Sequence, residues 1–159
     1  MYKIQKRFTF PMGHRLSLHK GACSNWHGHN ITVIVGLKSR TLNENGMVID
    51  FSDLSNLVGL VIDKWDHALL LNKTDYKILR EDIDIDKAFN KLFKIYSFDF
   101  EPTAENLSRV IYEELTQQLN GYLAGTDKNK QLVVVDFIEF WENEKAMVRY
   151  EKDTDAFNF

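Results

Sequence analysis

An α+β domain, with a four-stranded antiparallel sheet covered on one face by two helices, is what this 159-residue sequence predicts. Three observations predict it. Segments near both ends of the chain alternate apolar with polar residues, as half-buried strands do. Two internal segments instead repeat their apolar residues at three- and four-residue spacing, as amphipathic helices do. The resulting order is strand, strand, helix, helix, strand, strand, and short connections between successive strands favour antiparallel pairing.

Tyr2 to Phe10 alternates and reads as the first strand. Ile31 to Leu37 is rich in β-branched residues and reads as the second. Asn43-Glu44-Asn45-Gly46 is a turn signal, with MVIDF following as a short strand. Leu54, Leu57, Val58, Val61, Ile62 and Trp65 then trace one face of a helix that runs into Asp66-His67. Residues 73–101 are the least patterned part, with Ala88, Phe89, Leu92, Phe93 and Tyr96 suited to one face of a short helix. Pro102-Thr103-Ala104-Glu105-Asn106 opens a second long helix, Thr103 as N-cap and Glu105 in the positive first turn. Its stripe is Leu107, Val110, Ile111, Leu115 and Leu119. Gln131 to Trp141 returns to strand, and Ala146 to Tyr150 pairs back as a hairpin. The second sheet face has no element to cover it, so oligomerisation is expected.

The length is that of one domain, and neither Pro11 nor Pro102 lies in a linker-like segment, so residues 1–159 read as a single domain. Hydrophobic residues at 44% suffice for a core, and a net charge of −3 offers no basic surface for nucleic acid. No run approaches the roughly 18 apolar residues of a membrane span, and the N-terminal stretch has no signal-peptide character. A single cysteine, Cys23, cannot form an internal disulfide and suits a reducing compartment. The expectation is a cytoplasmic protein.

Cys23-Ser24-Asn25-Trp26-His27-Gly28-His29-Asn30 is the most informative segment. His27 and His29 lie two apart at a strand start, so both imidazoles share a face. His14 follows the first strand and closes the set if the two strands are neighbours. Three imidazoles suit Zn2+ and leave a fourth position open, the pattern of a catalytic site. Cys23 as a fourth ligand would make the site structural instead. His19 reads as a polar loop residue.

Asp66-His67 is either a carboxylate orienting an imidazole or a surface pair at a helix end. Glu139, in apolar company along the last long strand, either points to solvent or anchors a ligand that offers adjacent N–H donors, as an amino-pyrimidine edge does.

The strings FPMGHRL, CSNWHGHN, GMVIDFSDL, WDHALLLN and EPTAENLS, followed by a late strand with Glu139, resemble the 6-pyruvoyltetrahydropterin synthase / 6-carboxytetrahydropterin synthase family in order and approximate spacing. The resemblance covers most of residues 1–150. It implies the tunnelling fold, in which three subunits close a β-barrel and two trimers stack, giving a homohexamer with active sites between subunits. It implies His14, His27 and His29 as zinc ligands, Cys23 as proton acceptor, Asp66 and His67 as the relay, Glu139 as pterin anchor and Thr103 as a pocket residue. The implied substrate is a dihydropterin triphosphate.

Two products belong to the family. One branch keeps the side chain as a pyruvoyl group. The other cleaves it, releasing acetaldehyde and leaving a 6-carboxy group, a step toward 7-deazaguanines such as queuosine. The short Cys-x-x-x-His-Gly-His spacing resembles the second branch. An inert zinc- and pterin-binding oligomer, or a hydrolase using metal-bound water, are the competing classes. The family's anchor glutamate is often followed by threonine; here Phe140 follows Glu139, and Glu142 stands nearby as its rival. Residues 73–101 form a longer connection than is usual there.

Overall fold

The structure, a computed structural model, describes residues 1–82, 93–125 and 132–152. Strands β1 (Tyr2–His14) and β2 (His27–Ser39) pair antiparallel from Tyr2 opposite Ser39 to His14 opposite His27. Strand β5 (Val133–Asn143) pairs antiparallel with β2, and β6 (Ala146–Tyr150) with β5. These are the four strands the alternation predicts.

Two more strands extend the sheet. β3 (Ala68–Asn72) lies parallel to β1, and β4 (Ile95–Phe98) parallel to β3, so the order is β4-β3-β1-β2-β5-β6. The four-stranded antiparallel expectation is thereby corrected to a six-stranded mixed sheet. β3 is buried at four of its five positions, and a strand buried on both faces shows no alternation. Its run Ala68-Leu69-Leu70-Leu71 merges into the preceding helical pattern for that reason. Tyr96, assigned above to a short helix, lies in β4. Of its predicted partners, Ala88, Phe89 and Leu92 lie outside the described residues.

Helix α1 (Phe51–Ile62) starts one residue after Asp50, whose side chain accepts from the Ser52 N–H. MVIDF is therefore no strand: Val48 and Ile49 enter the core and Asp50 caps the helix. Helix α2 (Lys73–Asp82) follows β3 directly. Helix α3 (Ala104–Ala124) is capped by Thr103, which accepts from the Asn106 N–H. Leu54, Val58 and Val61 of α1 meet Leu107, Ile111 and Leu115 of α3 over the sheet face carrying Phe10, Met12, Ile31, Val33, Val35 and Leu37. Each such side chain contributes roughly 1.5–3 kcal/mol on burial.

Strand β5 changes face midway. Gly36 pairs with Phe137 but Leu37 with Val135, so Asp136 is an extra residue. Such a bulge reverses the in/out alternation beyond it. Val133 and Val135 join the core before the bulge, and Ile138 and Phe140 after it. Glu139 therefore does not share a face with Val133 and Val135, as simple alternation had it. The bulge depends on Gly36, where an added Cβ would lie 2.3 Å from the Phe137 ring. Gly36→Ala is expected to destabilise the domain by about 1–3 kcal/mol through overpacking. A shifted urea midpoint, restored in part by adding Phe137→Leu, is the check.

Candidate metal centre and active site

β1 ends and β2 begins at the same edge of the domain. His14 is the direct cross-strand partner of His27, and Met12 that of His29. Cross-strand partners, and residues two apart, share a face, so all three imidazoles continue the core-facing row past its apolar end. Ring centroids are 4.5 Å apart for His14–His27, 5.2 Å for His14–His29 and 5.0 Å for His27–His29. One ligand nitrogen from each lies within 4.8 Å of the others. Gly28 allows the close approach: a Cβ there would stand 3.1 Å from the Met12 carbonyl oxygen.

The surroundings prepare these rings for a cation. His14 Nδ1 lies 2.9 Å from the Pro102 carbonyl oxygen, and His27 Nδ1 lies 2.8 Å from that of Asn25. A carbonyl only accepts, so each Nδ1 carries the proton and each Nε2 keeps a bare lone pair. His14 is 1% exposed, and its Nε2 is buried without a hydrogen-bond partner. An orphaned buried acceptor facing two more imidazoles fits a metal ion. Cys23 is not part of this cluster; it sits half-buried in a turn (Ala22–Ser24) of the 15–26 connection between β1 and β2.

Burial holds the His14 pKa below the ordinary histidine value; His27 and His29 push the same way, while the Pro102 contact and Glu142 oppose. The unfolded chain then takes up a proton near pH 6.5 that folded His14 refuses. Stability of the metal-free protein is expected to be full above that pH and to fall as pH drops below it. Urea midpoints at pH 8 and pH 5.5 test this, and His14→Asn is expected to flatten the difference.

The Asp66-His67 pair faces itself: His67 Nδ1 lies 2.7 Å from Asp66 Oδ1. Adjacent residues meet here because His67 adopts φ 56°, a left-handed conformation that costs a non-glycine residue of order 1–2 kcal/mol. The turn is pinned by the His67 N–H donating to the Pro11 carbonyl at 2.8 Å. The Lys94 ammonium donates to the Asp63 and Asp66 carbonyls, each at 2.7 Å. His67, His27 and His29 line one cavity of about 620 Å³, rimmed by Trp26.

Glu139 is not brought to the imidazoles. It pairs with Ile34, on the opposite sheet face, and accepts from Trp141 Nε1 and Arg149 Nη1 at 3.1 Å each. The bulge at Asp136 is the physical reason. Glu142, its nearby rival, does approach the imidazoles: its Oε1 lies 3.9 Å from His14 Nε2. A second bulge, between Trp141 opposite Met147 and Asn143 opposite Ala146, leaves Glu142 unpaired and free to point there. Glu142 and Thr103 line a cavity of about 430 Å³ with His19 and Met147. His19 accepts from the Gly21 N–H in the loop. Arg15, beside His14 in sequence, turns to Asp75 at 3.4 Å.

The Pro102 and Asn25 carbonyls, Lys94 and Glu101 escaped sequence reasoning. Backbone acceptors carry no residue signature, and His14 and Pro102 are 88 positions apart. Among the described residues, no helix is long and apolar enough to cross a membrane.

A family model described as 6-pyruvoyl tetrahydropterin synthase matches residues 3–153. The 6-carboxy-5,6,7,8-tetrahydropterin synthase of Haemophilus influenzae is 32% identical over 157 residues, covering 96% of this chain and all of that protein. The protein of the same name from Aquifex aeolicus is 29% identical over 170 residues, with 96% and 99% covered. An uncharacterised protein from Wolinella succinogenes superposes with a TM-score of 0.77 at 24% identity, covering 96% and 98% of the two chains. Plasmodium vivax 6-pyruvoyltetrahydropterin synthase superposes with a TM-score of 0.69 at 18% identity, covering 96% and 98%, which bears on the fold alone. The histidine cluster thus belongs to a chain matched over residues 3–153 by the family model and over 96% of its length by the H. influenzae enzyme, and the protein is an enzyme of the 6-pyruvoyl tetrahydropterin synthase family.

Proposed function

We propose that this enzyme is a zinc-dependent lyase. It converts 7,8-dihydroneopterin triphosphate and water to 6-carboxy-5,6,7,8-tetrahydropterin, acetaldehyde and triphosphate, a step toward 7-deazaguanines such as queuosine. The observation that carries this is the convergence of His14, His27 and His29 beside the loop bearing the chain's single cysteine. The names of the H. influenzae and A. aeolicus relatives support the 6-carboxy product over the 6-pyruvoyl one.

His14, His27 and His29 would hold the zinc through Nε2 of at least the first two. Bound zinc supplies Lewis acidity to the substrate's side-chain hydroxyls, which makes the neighbouring C–H acidic. Cys23 takes that proton as general base. His67, oriented by Asp66, passes protons onward, and the cycle needs no redox cofactor because ring reduction is matched by side-chain oxidation. We assign the pterin anchor to Glu142 rather than Glu139, its carboxylate accepting two parallel N–H bonds from the amino-pyrimidine edge, with Thr103 beside it. Sites shared between subunits of a homohexamer, in the cytoplasm, complete the proposal.

Incubating purified protein with 7,8-dihydroneopterin triphosphate is the test. Acetaldehyde in one-to-one ratio with a 6-carboxy product supports the proposal. A pyruvoyl product without acetaldehyde, or pterin binding without turnover, overturns it. Glu142→Gln is expected to lower kcat/KM by about 100-fold or more, the loss of a charge-assisted pair being worth about 3 kcal/mol. Glu139→Gln is expected to stay within about threefold; the opposite ranking restores Glu139 as anchor.

A further inference from the structure

We infer that Glu101 is a positioning residue that holds the cysteine-bearing loop in register with the imidazoles. Residues 15–26 connect two of the imidazole positions, His14 and His27, and carry Cys23. Within that loop, the Leu16 N–H donates to the Cys23 carbonyl at 2.9 Å, so the conformation at Leu16-Ser17 is passed to the cysteine. Ser17 is fastened to the domain by side chains from outside the loop, Glu101 and Asn72. Glu101 does so from the start of the segment entering α3. One carboxylate oxygen accepts the Ser17 N–H at 2.8 Å, and the other accepts the Ser17 hydroxyl at 2.6 Å.

The same carboxylate accepts from the buried Asn72 amide, which also reaches the Ser17 hydroxyl at 2.8 Å. Asn72 in turn caps α2 by accepting from the Asp75 N–H at 2.7 Å. The neighbouring Pro102 carbonyl holds the His14 ring at 2.9 Å. Adjacent residues 101 and 102 thereby brace both ends of the geometry, the thiol loop and the deepest imidazole. Hydrogen bonds to an ionised carboxylate are about twice as strong as neutral ones, and a glutamine at this position keeps one acceptor where three donors converge.

The inference rests on the lyase proposal for its catalytic meaning, but its structural content is tested separately. Glu101→Gln and Ser17→Ala are prepared in the full chain, singly and together. Deuterium uptake of the 15–26 peptide is expected to speed up at least tenfold in each variant, with α1 and α3 unchanged. Zinc content per subunit is expected to stay at the wild-type level. The kcat is expected to fall at least tenfold with KM within twofold, and the double variant to cost no more than the worse single one. Unchanged uptake in 15–26, loss of zinc, or full additivity overturns the inference. If the wild-type chain shows no turnover, the lyase proposal fails while the exchange comparison still decides the role of Glu101.

Discussion

Cys23→Ala is expected to lower kcat by roughly 10³-fold, within the range attributed to a positioned general base, while zinc content and fold are retained. The expectation follows from separation of roles. The cluster of potential ligands comprises three imidazoles and leaves the sulfur out. In the proposed mechanism, removing the thiol therefore removes a proton acceptor without removing a ligand. Cys23 is half-buried in its turn, so the truncation opens no core cavity and is expected to move the urea midpoint little. A hydrolase using metal-bound water would keep its activity in this variant. Retained turnover thus rejects the lyase mechanism, and loss of zinc together with activity assigns the sulfur a structural place. Cys23→Ser separates the cases further, since a hydroxyl preserves size but is a far weaker base at neutral pH.

Removal of the metal is expected to have an effect at least as large. His27→Ala leaves two imidazoles, and an open three-ligand site cannot tolerate the loss of one without losing most of its affinity. The expected result is less than about a tenth of wild-type zinc per subunit and no measurable turnover. Treating wild-type protein with a chelator is expected to abolish turnover reversibly, with recovery on adding zinc. His29→Ala is expected to match His27→Ala in zinc content, because the two rings occupy one face of β2 at 5.0 Å. Undiminished activity in protein verified to be metal-free rejects the centre. Because the imidazoles must be neutral to bind, occupancy is expected to decline in acid.

Much of the fold was legible because the alternation and the helical stripes are strong where one face is wet. β1 alternates from Ile4 to Phe10 with one side exposed, and α3 carries Leu107, Ile111, Leu115 and Leu119 in a clean row. Legibility failed where that contrast disappears. β3 is covered on both faces and reads as a plain apolar run. The α2 segment follows it with few apolar residues and no preceding turn. β4 has only four residues, two of them aromatic, and fits a helix face equally well.

The candidate site divides in the same way. Histidine is chemically conspicuous, and His-Gly-His on a strand states its own geometry, so the sequence by itself determined which imidazoles share a face. It also determined the family, through several motifs in a fixed order. Only the tertiary structure placed Glu142 beside His14 and Glu139 on the opposite sheet face, because one extra residue at Asp136 reverses the side-chain alternation of β5 and no local pattern announces a bulge. It alone decided which nitrogen of His14 is free, through a carbonyl 88 residues away, and it alone turned His67 toward Asp66 through a strained φ. Residue chemistry is written locally; the direction in which a side chain points is set by pairing with strands and loops distant in the chain.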